Sequence, residues 1–330
     1  MITQSVFYQL FILLVLYSCR TTIFVMSYDG IRDPKAAITS LMTYNETNDF
    51  MFTLAQMFPQ RVKVERIGTT AEGRDINMIV VDYSSPKNIT VVANLCAREW
   101  VAMTSMIYFI LEIVSWPERH DDLREFRWNI VPIGNPDGYE YTVNHERYWN
   151  KNRSPQPGGT FGVDLNANFG YLWGNSKPNN PTDETYRGSA PFSEEETKAI
   201  GTLLASSINS TILYIDIHAS AQSIIYPWVY TEEPAQRVNE TRSVARAGAD
   251  AVKAESGTIY KVGTLSELLH YNLYGTSLDY CNSLSINACI WLDISNNGYD
   301  LEVGDIPKYG KEALVAIKAM AKEANQLILS

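Results

Sequence analysis

The sequence contains no block of lysine or arginine, and its 27 basic residues are outnumbered by 37 Asp and Glu. The formal net charge of −10 argues against a protein that binds nucleic acid or an anionic membrane surface. Charged residues make up only 19% and apolar residues 45%, which excludes extensive disorder and allows a sizeable core. A length of 330 residues suffices for one large α/β domain or two small ones.

Long apolar runs are almost absent. The run over residues 6–17 is too short to span a bilayer comfortably, lacks a positively charged start and is followed by Ser18 and Cys19. We therefore predict a cleaved secretory signal peptide over residues 1–19, with an uncleaved anchor as the alternative. No other stretch of the sequence is a candidate for a transmembrane helix.

Cysteine is scarce as well, with 4 residues in the whole chain. Removal of the signal peptide leaves Cys96, Cys281 and Cys289. The last two could pair with each other in an oxidising compartment. Cys96 would then be left over, and an unpaired cysteine in a secreted protein needs either a function or burial as an inert thiol.

Glycosylation triplets of the form N-x-S/T are consistent with export, although each one alone is a weak signal. The triplet at Asn152 is doubtful because Pro155 follows its Ser154. The other acceptors are Asn45, Asn88, Asn209 and Asn239.

The chain has no internal repeat, low-complexity tract or flexible linker that would divide it into two halves. Runs rich in Val, Ile and aromatic residues predict strands at 62–67, 76–83, 89–96, 126–133, 211–218 and 288–294. Amphipathic patterns predict helices at 48–58, 100–114, 193–206, 242–256 and 308–326, the third with a cap-like start at Ser193. Strands that alternate with helices predict a largely parallel sheet covered on both faces.

The segment with the most informative chemistry is Cys96-Ala97-Arg98-Glu99-Trp100, read together with His218. Cys96 closes one predicted strand, His218 closes another, and Glu99 lies in the first turn of the following helix. Ligands of open α/β sheets bind beyond the carboxyl ends of the strands. We therefore expect Cys96, Glu99 and His218 to meet at one edge of the sheet.

In their order and spacing, a series of short motifs resembles the zinc metallocarboxypeptidases of the carboxypeptidase A/B type, over residues 28–330. The resemblance implies a single α/β domain with a central twisted mixed sheet of about eight strands flanked by helices. The motifs are Ile67-Gly68, Glu72-Gly73-Arg74, Ala97-Arg98-Glu99-Trp100, Asn135-Pro136-Asp137-Gly138, Trp149 to Arg153, Val163-Asp164-Leu165-Asn166, Glu184-Thr185-Tyr186, Ile217-His218 and Gly275-Thr276-Ser277-Leu278-Asp279.

The resemblance also implies an inhibitory pro-domain, which the A/B type usually carries. Here we expect only a short leader over residues 20–27 before the domain, and no pro-domain. A chain without peptidase activity would need no inhibitor, and an incomplete gene model is the alternative explanation.

The resemblance further implies one zinc ion per chain. Glu99 and His218 stand at two of its ligand positions, and Cys96 stands where the family has a histidine. Arg98 matches a supporting arginine. Arg153 falls where the resemblance implies the arginine that stabilises the oxyanion, a fixed cation matched to charge that develops in the transition state.

Other positions concern the substrate. The resemblance implies that an asparagine and an arginine together bind the terminal carboxylate of the substrate. Asn166 matches the asparagine, but Ala167 replaces the arginine. Tyr271 matches the tyrosine that closes over the site. The resemblance places Leu278 at the floor of the specificity pocket, which implies substrates with apolar or aromatic C-terminal residues. Asp293 replaces the glutamate that acts as general base.

Each departure has a physical cost. A cysteine ligand is shorter than a histidine, and a thiolate makes the zinc complex formally neutral, which weakens the acidification of bound water. Asp164, which the resemblance places beside the missing imidazole, loses its ring N–H donor. Asp293 withdraws the carboxylate by one methylene, and a displacement of about 1 Å can cost roughly a hundredfold in rate. Ala167 offers nothing in place of a bidentate guanidinium.

Two functions remain open. The first is a secreted zinc exopeptidase that removes apolar or aromatic C-terminal residues, with weak activity because of Cys96, Ala167 and Asp293. The second is a non-catalytic protein on the same scaffold that binds peptide or protein C-termini, and for both we expect a monomer without a membrane span. His120, His145 and His270 are interpreted as surface or structural residues.

Overall fold

The computed structural model describes residues 41–175 and 179–329, so the predicted signal peptide lies outside the described residues. A sheet of eight strands forms its centre, in the order β1-β2-β4-β3-β7-β10-β8-β9, and a two-stranded ribbon joins β5 to β6. The strands are β1 (Val62–Thr69), β2 (Asp75–Asp82), β3 (Asn88–Ala93), β4 (Arg127–Val131), β5 (Pro155–Gln156), β6 (Thr160–Phe161), β7 (Thr211–Ala219), β8 (Ser223–Ile225), β9 (Lys261–Gly263) and β10 (Cys289–Ile294).

The large sheet is mixed. The neighbours β4, β3, β7 and β10 run parallel, whereas β1–β2, β2–β4 and β10–β8 are antiparallel. The mixed sheet of eight strands implied by the resemblance is confirmed. The prediction of a largely parallel sheet from the strand–helix alternation alone was wrong for the outer strands, because β1 and β2 are joined by a tight turn rather than by a helix.

Helices cover both faces of the sheet. Their bounds are α1 (Tyr44–Met57), α2 (Trp100–Ser115), α3 (Pro136–Asn144), α4 (Glu195–Ser206), α5 (Val238–Ser256), α6 (Leu265–Leu269), α7 (Ser277–Ser283) and α8 (Ile306–Leu329). α2, α5 and α8 pack on one face with α1, whereas α4, α6 and α7 pack on the other. Among the described helices, none is both long and apolar enough to cross a bilayer.

Strand β7 shows how the sheet sorts side chains between its two faces. Ile215 and Ile217 enter the core beneath α2 and α8, whereas Tyr214 enters the core on the face of α7. Successive strand residues point to opposite faces, so Asp216 and His218 share the face of Tyr214. This face therefore carries the polar residues at the carboxyl end of β7.

Two local predictions need correction. Helix α4 begins at Glu195 with Glu194 as N-cap, and Ser193 does not cap it, because its hydroxyl donates to the Glu194 side chain at 2.7 Å. Cys96 does not close a strand, since β3 ends at Ala93 and Cys96 lies in the loop that follows.

Cys281 and Cys289 form a disulfide between α7 and β10.

Candidate metal centre

The loop between β3 and α2 is held by asparagine side chains. Asn94, fully buried and with a positive φ of 57°, donates from its amide to the carbonyls of Cys96, Ala97 and Glu99 at 3.2–3.3 Å. Asn135 donates to the carbonyl of Leu95 at 3.0 Å. These bonds fix the backbone that presents the side chains at positions 96 and 99.

Cys96, Glu99 and His218 converge. One potential ligand atom from each lies within 4.8 Å of the others, and among the described residues no other group of three or more His, Cys, Asp and Glu side chains meets this condition. Glu99 is the N-cap residue of α2, but its carboxylate does not cap the helix and instead lies 2.9 Å from His218 Nδ1. The three side chains therefore meet as expected, although Cys96 does so from the loop after β3 rather than from a strand end.

The ring of His218 is enclosed on all sides. Its Nε2 lies 3.2 Å from Asp216 Oδ2 and 3.5 Å from Asn166 Nδ2, and its plane packs on Trp291 with ring centroids 4.2 Å apart. Burial alone lowers the pKa of His218, but the carboxylates of Asp216 and Glu99 hold that pKa well above its ordinary value.

Cys96 forms no disulfide, so its thiol is free to act as a ligand. Burial and the neighbouring Glu99 carboxylate raise the pKa of Cys96 to about 12, so in the metal-free protein the thiol is protonated at neutral pH. Asp164 accepts the backbone N–H of Asn166 at 3.1 Å, and burial raises its pKa to about 6. A cation at the triad would favour the thiolate.

The donor set of the triad suits zinc. Thiolate, carboxylate and imidazole are all common zinc ligands, and three protein ligands leave one position free. The spacing of the three donor atoms allows them to surround one ion. Cys96, Glu99 and His218 are thus the residues that could hold the metal.

Asp293 lies beside the triad. The pairing of β7 with β10 sets it opposite His218, and its carboxylate accepts the backbone N–H of Ala221 at 2.9 Å. Burial, with a further contribution from the Glu99 charge, raises the pKa of Asp293 to about 7. A carboxyl with this pKa could exchange protons near neutrality, provided that it reaches the reacting group.

The residues expected to bind substrate lie in two segments that pack closely. Gly275 has a φ of 71°, and a Cβ on it would lie 2.6 Å from the carbonyl oxygen of Ala167, so only glycine allows this approach. Asn166 accepts the backbone N–H of Ser277 at 3.3 Å. Leu278 has no exposed surface and packs in the core beside α7. Leu278 therefore forms no exposed lining of a pocket in this conformation.

Arg98 and Tyr271 flank the triad. The Arg98 guanidinium packs over the Tyr299 ring at 4.2 Å and forms an ion pair with Glu184 at 3.3 Å. Burial lowers the pKa of Arg98, but its neighbours, Tyr299 first and then Glu184 and Glu99, raise that pKa above its ordinary value. Tyr271 is 49% exposed, and partial burial together with the Asp293 charge raises its pKa. Both side chains therefore lie within electrostatic range of the site.

Arg153 lies in a different setting from the one the resemblance implies. Its guanidinium packs over the rings of Tyr141, Trp149 and Phe161, at 3.8, 4.7 and 4.7 Å from their centroids. Its Nε is buried without a hydrogen-bond partner among the described residues. None of its described contacts is with the triad, so these contacts do not support a role in stabilising an oxyanion.

Two residues that touch this region were not predicted from the sequence. Asp216 was detectable because Asp216 and His218 are two apart on one strand and must share a face. Asn150, whose backbone carbonyl accepts the N–H of Ala97 at 3.0 Å, carried no signal beyond its place in a motif.

The remaining histidines lie elsewhere. His120 bonds to Glu112 at 2.9 Å, and the rings of His145 and Tyr141 pack with centroids 5.0 Å apart. His270 is the exposed C-cap residue of α6. None of the three belongs to the metal-ligand group found among the described residues.

Comparison with known proteins gives a consistent result. A sequence profile described as "Zinc carboxypeptidase" matches residues 47–316. A zinc carboxypeptidase of Simulium vittatum is 28% identical over 297 residues, covering 86% of this chain and 97% of its own length. Human carboxypeptidase O is 30% identical over 287 residues, covering 81% of this chain and 76% of its own length.

Solved structures agree as well. Carboxypeptidase A from Helicoverpa armigera superposes with a TM-score of 0.84 at 26% identity, covering 99% of this chain and 81% of that one. Bovine thrombin-activatable fibrinolysis inhibitor, solved with tick carboxypeptidase inhibitor, gives a TM-score of 0.83 at 27% identity, covering 88% of this chain and 99% of that one.

Proposed function

This chain belongs to the zinc carboxypeptidase family, and we propose that it is a secreted member that binds one zinc ion and has little or no peptidase activity. The observation that carries the proposal is the convergence of Cys96, Glu99 and His218, with a cysteine among the three donors. All three residues are of types that bind zinc, whereas the charge of the ligand set and the residues around it differ from what hydrolysis requires.

The charge of the ligand set opposes efficient catalysis. When bound, zinc supplies Lewis acidity and an acidified water. Thiolate and carboxylate together offset its two positive charges, whereas a carboxylate with two neutral imidazoles leaves one positive charge. A less positive ion polarises a carbonyl less, so Cys96 preserves binding at the expense of reactivity.

The groups around the triad support the same proposal. Asp293 is one methylene shorter than a glutamate and is already bonded to Ala221. The amide of Asn166 is engaged by the backbone of Ser277 and faces His218, and its neighbour Ala167 has no polar side chain. A terminal carboxylate would therefore meet few free donors in this region.

What remains is a scaffold that could bind the C-terminus of a peptide or protein without cleaving it. Tyr271 is half exposed beside the site and offers a ring and a hydroxyl to a ligand. A second candidate, residual removal of apolar or aromatic C-terminal residues, depends on a pocket at Leu278, whose side chain has no exposed surface here. The non-catalytic function is therefore the better supported of the two.

Secretion is part of the proposal. The disulfide between Cys281 and Cys289 is typical of oxidising compartments. The acceptor residues Asn45, Asn209 and Asn239 are exposed, as glycosylation requires. The predicted signal peptide would supply the route.

The test is metal analysis of the secreted protein, combined with an assay on peptides that end in Phe or Leu. We expect one zinc ion per chain and a kcat/KM at least about a hundredfold below that of an active relative assayed in parallel. Cys96→Ser is the matched variant, and it should lose zinc because a hydroxyl is a poor replacement for a thiolate. Chelator-sensitive cleavage at the rate of the active relative would overturn the proposal of lost activity, and absence of zinc would overturn the proposed metal site.

A further inference from the structure

Asp216 is a buried carboxylate that the family resemblance does not assign to any role. It lies on β7 two residues before His218 and has no exposed surface. Its Oδ2 lies 3.2 Å from His218 Nε2 and also accepts a hydrogen bond from the hydroxyl of Ser277. Its Oδ1 has no hydrogen-bond partner among the described residues.

The two nitrogens of the His218 ring face different carboxylates. Nδ1 lies 2.9 Å from Glu99, which belongs to the candidate ligand set, whereas Nε2 faces Asp216. A carboxylate accepts hydrogen bonds but donates none when ionised, and the Ser277 hydroxyl already donates to the same oxygen. The contact between Nε2 and Oδ2 is therefore favourable only when the proton resides on Nε2. The amide of Asn166 would instead donate to an unprotonated Nε2, but at 3.5 Å that contact is longer than the 3.2 Å to Asp216 and involves no charged partner.

We propose that Asp216 is a positioning residue that keeps the proton on His218 Nε2, so that the Nδ1 lone pair is directed at the metal. The inference rests on the proposed zinc site. Outer carboxylates of this kind fix the tautomer and orientation of a ligating histidine and increase its basicity. The Trp291 ring restricts the imidazole plane from one side, and Asp216 sets its rotation within that plane.

The cost of burying Asp216 supports a specific role. A carboxylate without exposed surface loses its hydration, and one of its oxygens receives no hydrogen bond from the described residues. An apolar residue at this position would avoid that cost, as its strand neighbours Ile215 and Ile217 do on the other face. The compensating contacts of Asp216 are with His218 and Ser277, both at the candidate site.

The direct test is NMR of the ring nitrogens of His218 in protein labelled with nitrogen-15 in histidine, with and without added zinc. We expect a slowly exchanging proton on Nε2 in both forms, and an unprotonated Nδ1 once zinc is bound. A zinc-loaded protein with the proton on Nδ1, or a metal-free protein without a proton on Nε2, would overturn the role of Asp216. If zinc does not bind at all, the proposed metal site fails, while a metal-free spectrum recorded above the raised pKa of His218, where the ring holds a single proton, still decides the position of that proton.

Variants provide the second measurement, the zinc affinity determined against a competing chelator. We expect a tenfold to hundredfold loss, on the order of that seen for outer partners of metal ligands, in Asp216→Ala, and a smaller loss in Asp216→Asn, which keeps an acceptor oxygen. Asp279→Asn is the matched control, because Asp279 is equally buried, lies on α7 and accepts the backbone N–H of Val229. Equal losses in the Asp216 and Asp279 variants would indicate a purely structural effect, and the wild-type spectrum remains decisive if the Asp216 variants do not fold.

Discussion

Asp293 is hydrogen-bonded to Ala221: its carboxylate accepts the backbone N–H of Ala221 at 2.9 Å, in the turn that follows β7. The bond ties the side chain to the end of the strand that carries His218. A general base must reach the proton that it removes, within about 3 Å or through one water molecule. The tether and the short side chain therefore act in the same direction, and both hold the carboxylate back towards the sheet.

We predict that reversion of three positions together restores peptidase activity. The variant combines Cys96→His, Ala167→Arg and Asp293→Glu, which returns a positive zinc complex, a carboxylate grip and a longer base. We expect kcat/KM on peptides ending in Phe or Leu to rise at least about a hundredfold. Steady-state kinetics on the purified proteins, with zinc content measured in each, would check it.

The single reversion Asp293→Glu serves as the control for this experiment. It should raise kcat/KM by less than about tenfold, because a better base alone leaves the metal complex neutral. Full recovery in that single variant would contradict the view that Cys96 limits reactivity.

Arg153 is predicted to stabilise the fold rather than the reaction. Arg153→Met keeps the packing against Tyr141, Trp149 and Phe161 but removes the cation, and we expect a loss of about 1–2 kcal/mol in the free energy of unfolding. Zinc content should be unchanged. Denaturant unfolding and metal analysis would measure both, and Arg153→Lys, which keeps a cation, should lose less stability. A variant with unchanged stability but altered zinc binding or activity would contradict this prediction and show that Arg153 acts at the metal site.

Glu196 is predicted to make stability fall as the pH rises. Burial raises the pKa of Glu196 from 4.5 to about 8, and its Oε1 has no hydrogen-bond partner among the described residues. Between these values the folded state holds a proton that the unfolded state has released, so the free energy of unfolding decreases by at most about 1.4 kcal/mol per pH unit. Glu196→Gln, which cannot ionise, should remove this part of the pH dependence.

Denaturant midpoints of the wild type and the variant, measured across that pH range, would test this. The difference between them should shift in favour of Glu196→Gln as the pH rises towards 8. Glu195→Gln is the matched control, because Glu195 is exposed on the same turn of α4 and should leave the pH profile of the wild type intact. A constant difference at every pH would mean that Glu196 does not titrate in this range.

Glycosylation is predicted to follow exposure. Asn45, Asn209 and Asn239 are exposed, whereas Asn152 is fully buried and donates to Glu194 at 2.7 Å. Glycopeptide mapping of protein secreted from eukaryotic cells should find glycans at the exposed acceptors and none at Asn152. A glycan at Asn152 would show that the segment is modified before it folds or that it is packed differently.

Long, regular elements of the fold were predictable from the sequence, and short ones were not. The apolar runs placed β3 and β7 within a few residues of their ends, because buried strands must be apolar. Strands β8 and β9 have three residues each, too few to show a period. Helix α3 was read only as a motif, because its Pro136 and Gly138 are poor helix formers, although Asn135 caps it by accepting the N–H of Gly138 at 3.0 Å.

The meeting of Cys96, Glu99 and His218 followed from topology, since parallel strands bring their carboxyl ends to one edge. The direction of a long side chain did not follow. The Arg153 guanidinium packs over aromatic rings of α3 and β6, and only the tertiary packing brings these rings close to Arg153. The role of Asp216 was hidden for a similar reason, because it depends on the rotation of the neighbouring imidazole.

The bridge between Cys281 and Cys289 joins the helix that bears Leu278 to the strand that bears Asp293. While the sulfurs remain linked, α7 cannot separate from β10 at this point, so the spacing between the elements that bear Leu278 and Asp293 is held fixed. Reduction would remove this link, so we expect the relative position of α7 and β10 to be less constrained in a reducing compartment than in an oxidising one.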